Sequence, residues 1–241
     1  MVPATALRKE SSFEPTAPLP SRGEVLARYR HLREISKLHH SEAMKFLSTN
    51  AILQNARRLG LTEGKTLVLG SMDELTLAFD LAIHTAPVGR SRAIDRYARN
   101  APHLPGSDEA LMLDAMRNAR FAVLSVERRH EDAGLVATDL FRDDEVWLVD
   151  EGLEISLAKG MWFATRYFTP DRFSMTAGVG MPVDSVFLAD ALESAPQLMR
   201  KPYVQAIEDP RFAEAVYRAA IADGIMEGMM YLDPPGAGHA A

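Results

Sequence analysis

At Arg120 the spacing of apolar residues changes from every third or fourth position to short runs rich in Val, Phe, Trp, Tyr and Thr. Helices and strands bury their faces at different periods, so this switch constrains the fold more than any other feature. Five such runs follow: "RFAVLSVER", "LVATDLF", "EVWLV", "MWFATRYF" and "RFSMTAGV". Between them lie "HEDAG", "RDD", "DEG…AKG" and "TPD". Gly supplies positive φ there, Pro a fixed φ and Asp local side-chain bonding. Five short strands with frequent turns predict an antiparallel sheet closed into a small SH3-like or OB-like barrel over residues 120–183.

The flanks are helical. Ser21 with Glu24 forms a capping box. Val25, Tyr29, Leu32, Ile35, His39, Ala43 and Phe46 then make one apolar stripe, which breaks near Ser48–Asn50 and resumes in "AILQNARRLGL". Ser71 with Glu74 is a second box opening "MDELTLAFDLAIH", and Ser107 caps "SDEALMLDAMRNA". "KTLVLG" fits either a strand or a helix lead-in. Asp184 or Ser185 caps the first helix after the sheet, and Pro210 starts the last. The last helix carries a stripe of Ala213, Val216, Tyr217, Ala220, Ile221, Gly224, Ile225, Gly228 and Met229, expected to pack internally. The predicted class is α+β. Residues 1–21 form a tail made extended by Pro15, Pro18 and Pro20, and 22–119 a helical region. The barrel spans 120–183, closing helices 184–233 and a tail 234–241.

The chain has 241 residues, 47% of them hydrophobic, enough for a sizeable core. Its lack of cysteine excludes a disulfide framework and a thiol nucleophile, and fits a reducing, cytoplasmic setting. No apolar run reaches membrane-spanning length. Residues 1–60 hold 10 Lys/Arg against 5 Asp/Glu, whereas residues 61–241 hold 17 against 28. Such an acidic body disfavours general nucleic-acid binding.

The most chemical-looking stretch is "LFRDDEVWLVDEGLE". Asp143, Asp144 and Glu145 fall in one predicted turn, Asp150 and Glu151 in another. Glu154 and the neighbouring Asp139 read as polar strand positions. The two turns would lie some 15 Å or more apart at about 3.3 Å per residue, so one metal cannot use both. "ERRH", Glu127–His130, has Glu-x-x-His spacing but lies at a strand end without a second copy. His39 of "HHSE" falls on the apolar stripe and reads as a packed core residue. "TAGVGMP" lacks the third glycine of a dinucleotide loop and reads as a bulge or tight exit. No metal, cofactor or catalytic set is expected.

Two surfaces remain. Arg30, Arg33, Lys37 and His40, preceded by Arg22, Arg8 and Lys9, make a basic face on the first helix that could grip phosphates or an acidic protein. Trp147, Trp162 and Phe173 could be exposed stacking platforms on the barrel. A solvated face paired with the protein's own carboxylates is the plainer reading of the basic residues.

Gly134–Leu140, Asp143–Glu145, Gly160–Met161 and Thr176–Gly178 together resemble the corresponding places in a type of uncharacterised bacterial protein with a helical N-terminal half and a small barrel. Some of those carry a SEC-C-type Cys/His zinc segment, which a chain without cysteine cannot share. The resemblance implies a fold and no activity. The sequence therefore points to a non-enzymatic soluble binding or adaptor protein with a protein partner. A nucleic-acid binder using the basic helix, and a carboxylate/His enzyme or metalloprotein, are the alternatives. Oligomeric state is not legible.

Overall fold

A computed structural model describes residues 21–64, 66–87 and 89–225. The proline-rich start, Arg8, Lys9, Gly228, Met229 and the tail 234–241 lie outside them.

The first helix, α1 (Arg22–Met44), begins at the expected capping box: Ser21 Oγ accepts from Glu24 N, and Glu24 accepts from Ser21 N at 2.7 Å. Such a cap is worth about 1 kcal/mol. α2 (Thr49–Arg58) restarts at Ser48, and a hairpin of two-residue strands, β1 (Thr62–Glu63) and β2 (Thr66–Leu67), resolves the ambiguous "KTLVLG". α3 (Met72–His84) follows, but Ser71 makes no side-chain cap. Glu74 reaches past it to accept from Gly70 N at 2.7 Å, so the box is displaced by one residue. α4 (Ala93–Asn100) and α5 (Asp108–Arg117) complete the N-terminal helices.

The sheet consists of β3 (Arg120–Arg129), β4 (Leu135–Asp139), β5 (Asp144–Leu148), β6 (Trp162–Phe168) and β7 (Met175–Val183). The strands match the five predicted runs and pair antiparallel in the order β5-β4-β3-β6-β7. The expected closed barrel does not form. β5 and β7 are the edge strands, and Ser174, just before β7, forms an isolated parallel bridge with Leu148. The short helix α6 (Glu151–Ser156) stands beside β7, where a Cβ on Gly180 would come within 3.1 Å of the Leu153 side chain. "DEG" is thus a helix start, because Asp150 accepts from Gly152 N and Leu153 N as an N-cap with Glu151 behind it in the first turn. "TAGVGMP" lies inside β7 as a bulge: the register jumps where Arg166 of β6 faces residues 177–179. α7 (Ser185–Glu193), α8 (Pro196–Met199), α9 (Tyr203–Ile207) and α10 (Pro210–Ala222) end the described chain.

Alternation on β3 sends Ala122, Leu124 and Val126 to one face, where they pack with Leu135, Val146, Phe163 and Tyr167 under Leu157. Phe121 and Val123 face the helices. There Leu77, Leu81, Phe187, Phe212, Val216 and Tyr217 form one core, and the α1 stripe packs with Ile94, Met112, Met116 and Phe168 in a second. α3 touches both, with Leu81 in the first and Ile83 in the second. The α10 stripe packs on α7 and α3, as its small residues suggest.

Candidate functional site

The predicted basic face is engaged within the molecule. Arg22 donates to both carboxylate oxygens of Glu154, at 2.9 and 3.2 Å, and to Asp132 O. Arg30 donates to Glu151 at 2.6 and 3.0 Å. Arg33 donates to Thr176 O at 2.5 Å and lies 4.0 Å from Asp150, while Lys37 reaches Glu34 at 2.7 Å. The second acidic "turn" of the sequence is therefore the helix that holds α1. Glu154 sits on it, buried, and not on a strand. His40 does not share the face's charge: burial pushes its imidazole down to about 4.

The aromatics divide. Trp147 donates from Nε1 to Ala133 O at 2.7 Å and stacks on His130 at 3.9 Å, which accounts for the histidine of "ERRH". Trp162 is half-buried against the core. Phe173 is 2% exposed and not a surface platform, because it packs with Val149 and Met175 under Trp147. His39 is a bonded core residue, facing Tyr97 Oη at 2.8 Å and Glu109 O at 2.9 Å.

Between the two helical cores runs a polar seam that the sequence reading missed. Arg166 of β6 donates to Asp80 of α3 at 2.8 and 2.9 Å, and Tyr217 Oη of α10 donates to the same carboxylate at 2.8 Å. Burial alone would raise the Asp80 carboxyl; the Arg166 guanidinium, with Tyr217 donating beside it, holds it below its ordinary value. His84, one turn on from Asp80, is buried with neither ring nitrogen bonded. The His40 ring lies 6.0 Å from it, centroid to centroid. An Asp and a His four apart amid the apolar residues of "FDLAIH" were the available signal.

An open cleft of about 780 Å³ lies between α2, the end of α3, α9 and the start of α10. Leu81, Ala86 and Pro87 give it an apolar wall. Asn55 also lines it, donating to Ala51 O at 2.9 Å while its buried Oδ1 has no partner. Every charged lining residue is in an ion pair. Asp209 caps α10 and takes both Arg211, at 2.6 Å, and Lys201. Arg58 lies 3.9 Å from Glu214, and Glu208 accepts from Arg142 at 2.8 Å. Arg211 first, then Lys201, hold the Asp209 carboxyl well below the usual range. The lining comes from segments between Asn55 and Glu214, so no local motif could announce it. Met199, Tyr203 and Val204, all exposed, stand on the same α8–α9 stretch. Among the described residues, no three His, Asp or Glu converge as a metal site, and no helix is long and apolar enough to cross a membrane.

An open antiparallel sheet wrapped in helices, with a mixed-charge cleft on the helical side, defines an α+β protein with a surface recess. The chain belongs to a family of unknown function, DUF7986, whose model matches residues 24–229. No curated protein and no solved structure matches it.

Proposed function

We propose that this chain is a non-enzymatic binding or adaptor protein of the cytoplasm that engages another protein through the cleft between α2, α3, α9 and α10. One observation carries the reading. The cleft combines an apolar wall with charged groups that each stand in an ion pair, and exposed apolar side chains stand on the neighbouring segment. Such a recess offers contact area and orientation without a free base or nucleophile. The absence of cysteine fits a reducing compartment. Nucleic-acid binding through α1 would require Arg22, Arg30 and Arg33 to leave Glu154, Glu151 and Thr176 O.

The test is a peptide-display selection on the purified chain, counter-selected on Ala86→Trp, whose indole would fill the cleft. Peptides enriched on the parent and lost on the filled variant support the reading. Absence of enrichment, or turnover of a hydrolase substrate panel that one cleft mutation abolishes, removes it.

A further inference from the structure

Resting on that reading, we infer that the partner segment is acidic, with apolar side chains interleaved. The pairs at the cleft are asymmetric in depth. Asp209 is 6% exposed, while its partners Lys201 and Arg211 stand out at 35% and 45%. Glu214 is 22% exposed against 49% for Arg58. In these pairs the carboxylate is recessed and the cation projects, so an incoming chain meets three positive heads there. Glu208 is the one projecting carboxylate, and Arg142 grips it at 2.8 and 3.0 Å.

Lys201 and Arg211 share a single carboxylate, which leaves donor capacity on both. The chain's net charge of −6 opposes an acidic partner at long range. Screening over about 8 Å at physiological salt confines that opposition, and the three local cations decide the contact. Ala86 and Pro87 of the apolar wall supply contacts that a phosphate backbone would not use. This favours a polypeptide over a nucleic acid.

The experiment is fluorescence anisotropy with a fluorescein-labelled peptide of about 12 residues alternating Asp/Glu with Leu/Phe. A copy with Lys in place of the acids and a single-stranded DNA of equal charge serve as comparisons. The acidic peptide should bind, and Arg58→Glu with Lys201→Glu should weaken it about tenfold or more. Thermal melts report folding, and Arg58→Gln with Lys201→Gln replaces the reversal should it unfold. Equal binding of the Lys peptide overturns the acidic inference while leaving the cleft as a binding site. Tighter binding of the DNA overturns it in favour of a nucleic acid. If neither peptide binds and the display selection is also empty, the binding reading fails with it.

Discussion

Arg166 and Asp80 form a bidentate ion pair inside the protein, one partner from the sheet and one from α3, with Nε 2.8 Å from Oδ1 and Nη2 2.9 Å from Oδ2. Both side chains are nearly inaccessible, and Tyr217 adds a third donor from α10. The pair and the tyrosine therefore tie together three elements, β6, α3 and α10. Desolvating two charges costs several kcal/mol, which the attraction offsets only while both partners remain. Removing one should be far worse than removing both. Asp80→Ala is expected to cost about 3–5 kcal/mol, and Asp80→Leu with Arg166→Met much less than the sum of the single changes. Tyr217→Phe should cost about 1–3 kcal/mol. Urea denaturation of the single and double variants measures the coupling; additive losses would contradict it.

The same seam makes the fold acid-sensitive. Burial, then Arg166, keep the His84 pKa well below its ordinary value, and burial brings His40 to about 4, with Asp80 opposing in both cases. Arg33 also disfavours the charged form of His40, and Arg92 that of His84. In the unfolded chain both titrate near about 6.5. Between these values the unfolded state binds more protons, so stability is full above about pH 6.5 and falls as pH drops toward 4. A loss of roughly 1–3 kcal/mol between pH 7 and pH 4.5 is expected. His84→Leu should flatten part of that slope. A flat profile in the parent protein would refute it.

The strands were legible because each apolar run is short and bounded by residues with a physical reason to turn. α1 was legible because its cap and its stripe agree. Closure of the sheet was not, since it depends on whether "DEGLEIS" pairs as a strand or caps a helix. Asp150 settles that through bonds to two backbone amides which sequence does not display. Depth was the other hidden variable. Arg33 and His40 share a helix face with Lys37, yet His40 turns toward His84, and only the tertiary arrangement tells them apart. Asp80, Arg166 and Tyr217 are up to 137 residues apart and carry no mutual signal in the chain.

Gly134 is a position where backbone and packing both forbid a side chain. Its φ is +79°, and a Cβ there would lie 2.2 Å from Leu148 O and 2.9 Å from Val149 Cα. The neighbouring atoms are backbone of β5 and its exit, which cannot swing aside. Gly134→Ala should cost about 3 kcal/mol or more. Gly60, at φ +82° with nothing within 4 Å, isolates the conformational part, and Gly60→Ala should cost about 1 kcal/mol. Comparing the two denaturation midpoints tests whether the close approach dominates; equal shifts would show that it does not.

Glu154 decides how α1 is held. One oxygen takes Arg22 at 2.9 Å; the other takes Arg22 at 3.2 Å and the Gly134 amide at 3.1 Å. The Gly134 bond is buried, whereas the Arg22 guanidinium is about half exposed. Glu154→Leu leaves a buried N–H without an acceptor and should cost about 2–3 kcal/mol. Glu154→Gln keeps an acceptor for Gly134 and weakens only the ion pair, so about 1 kcal/mol is expected. Arg30→Ala removes a largely exposed pair with Glu151 and should change stability by less than about 1 kcal/mol, shrinking further in high salt. Chemical denaturation of the three variants at low and high salt separates the cases. If Arg30→Ala matched Glu154→Leu, the grip of α6 on α1 would reside in the exposed charges and not in the buried acceptor.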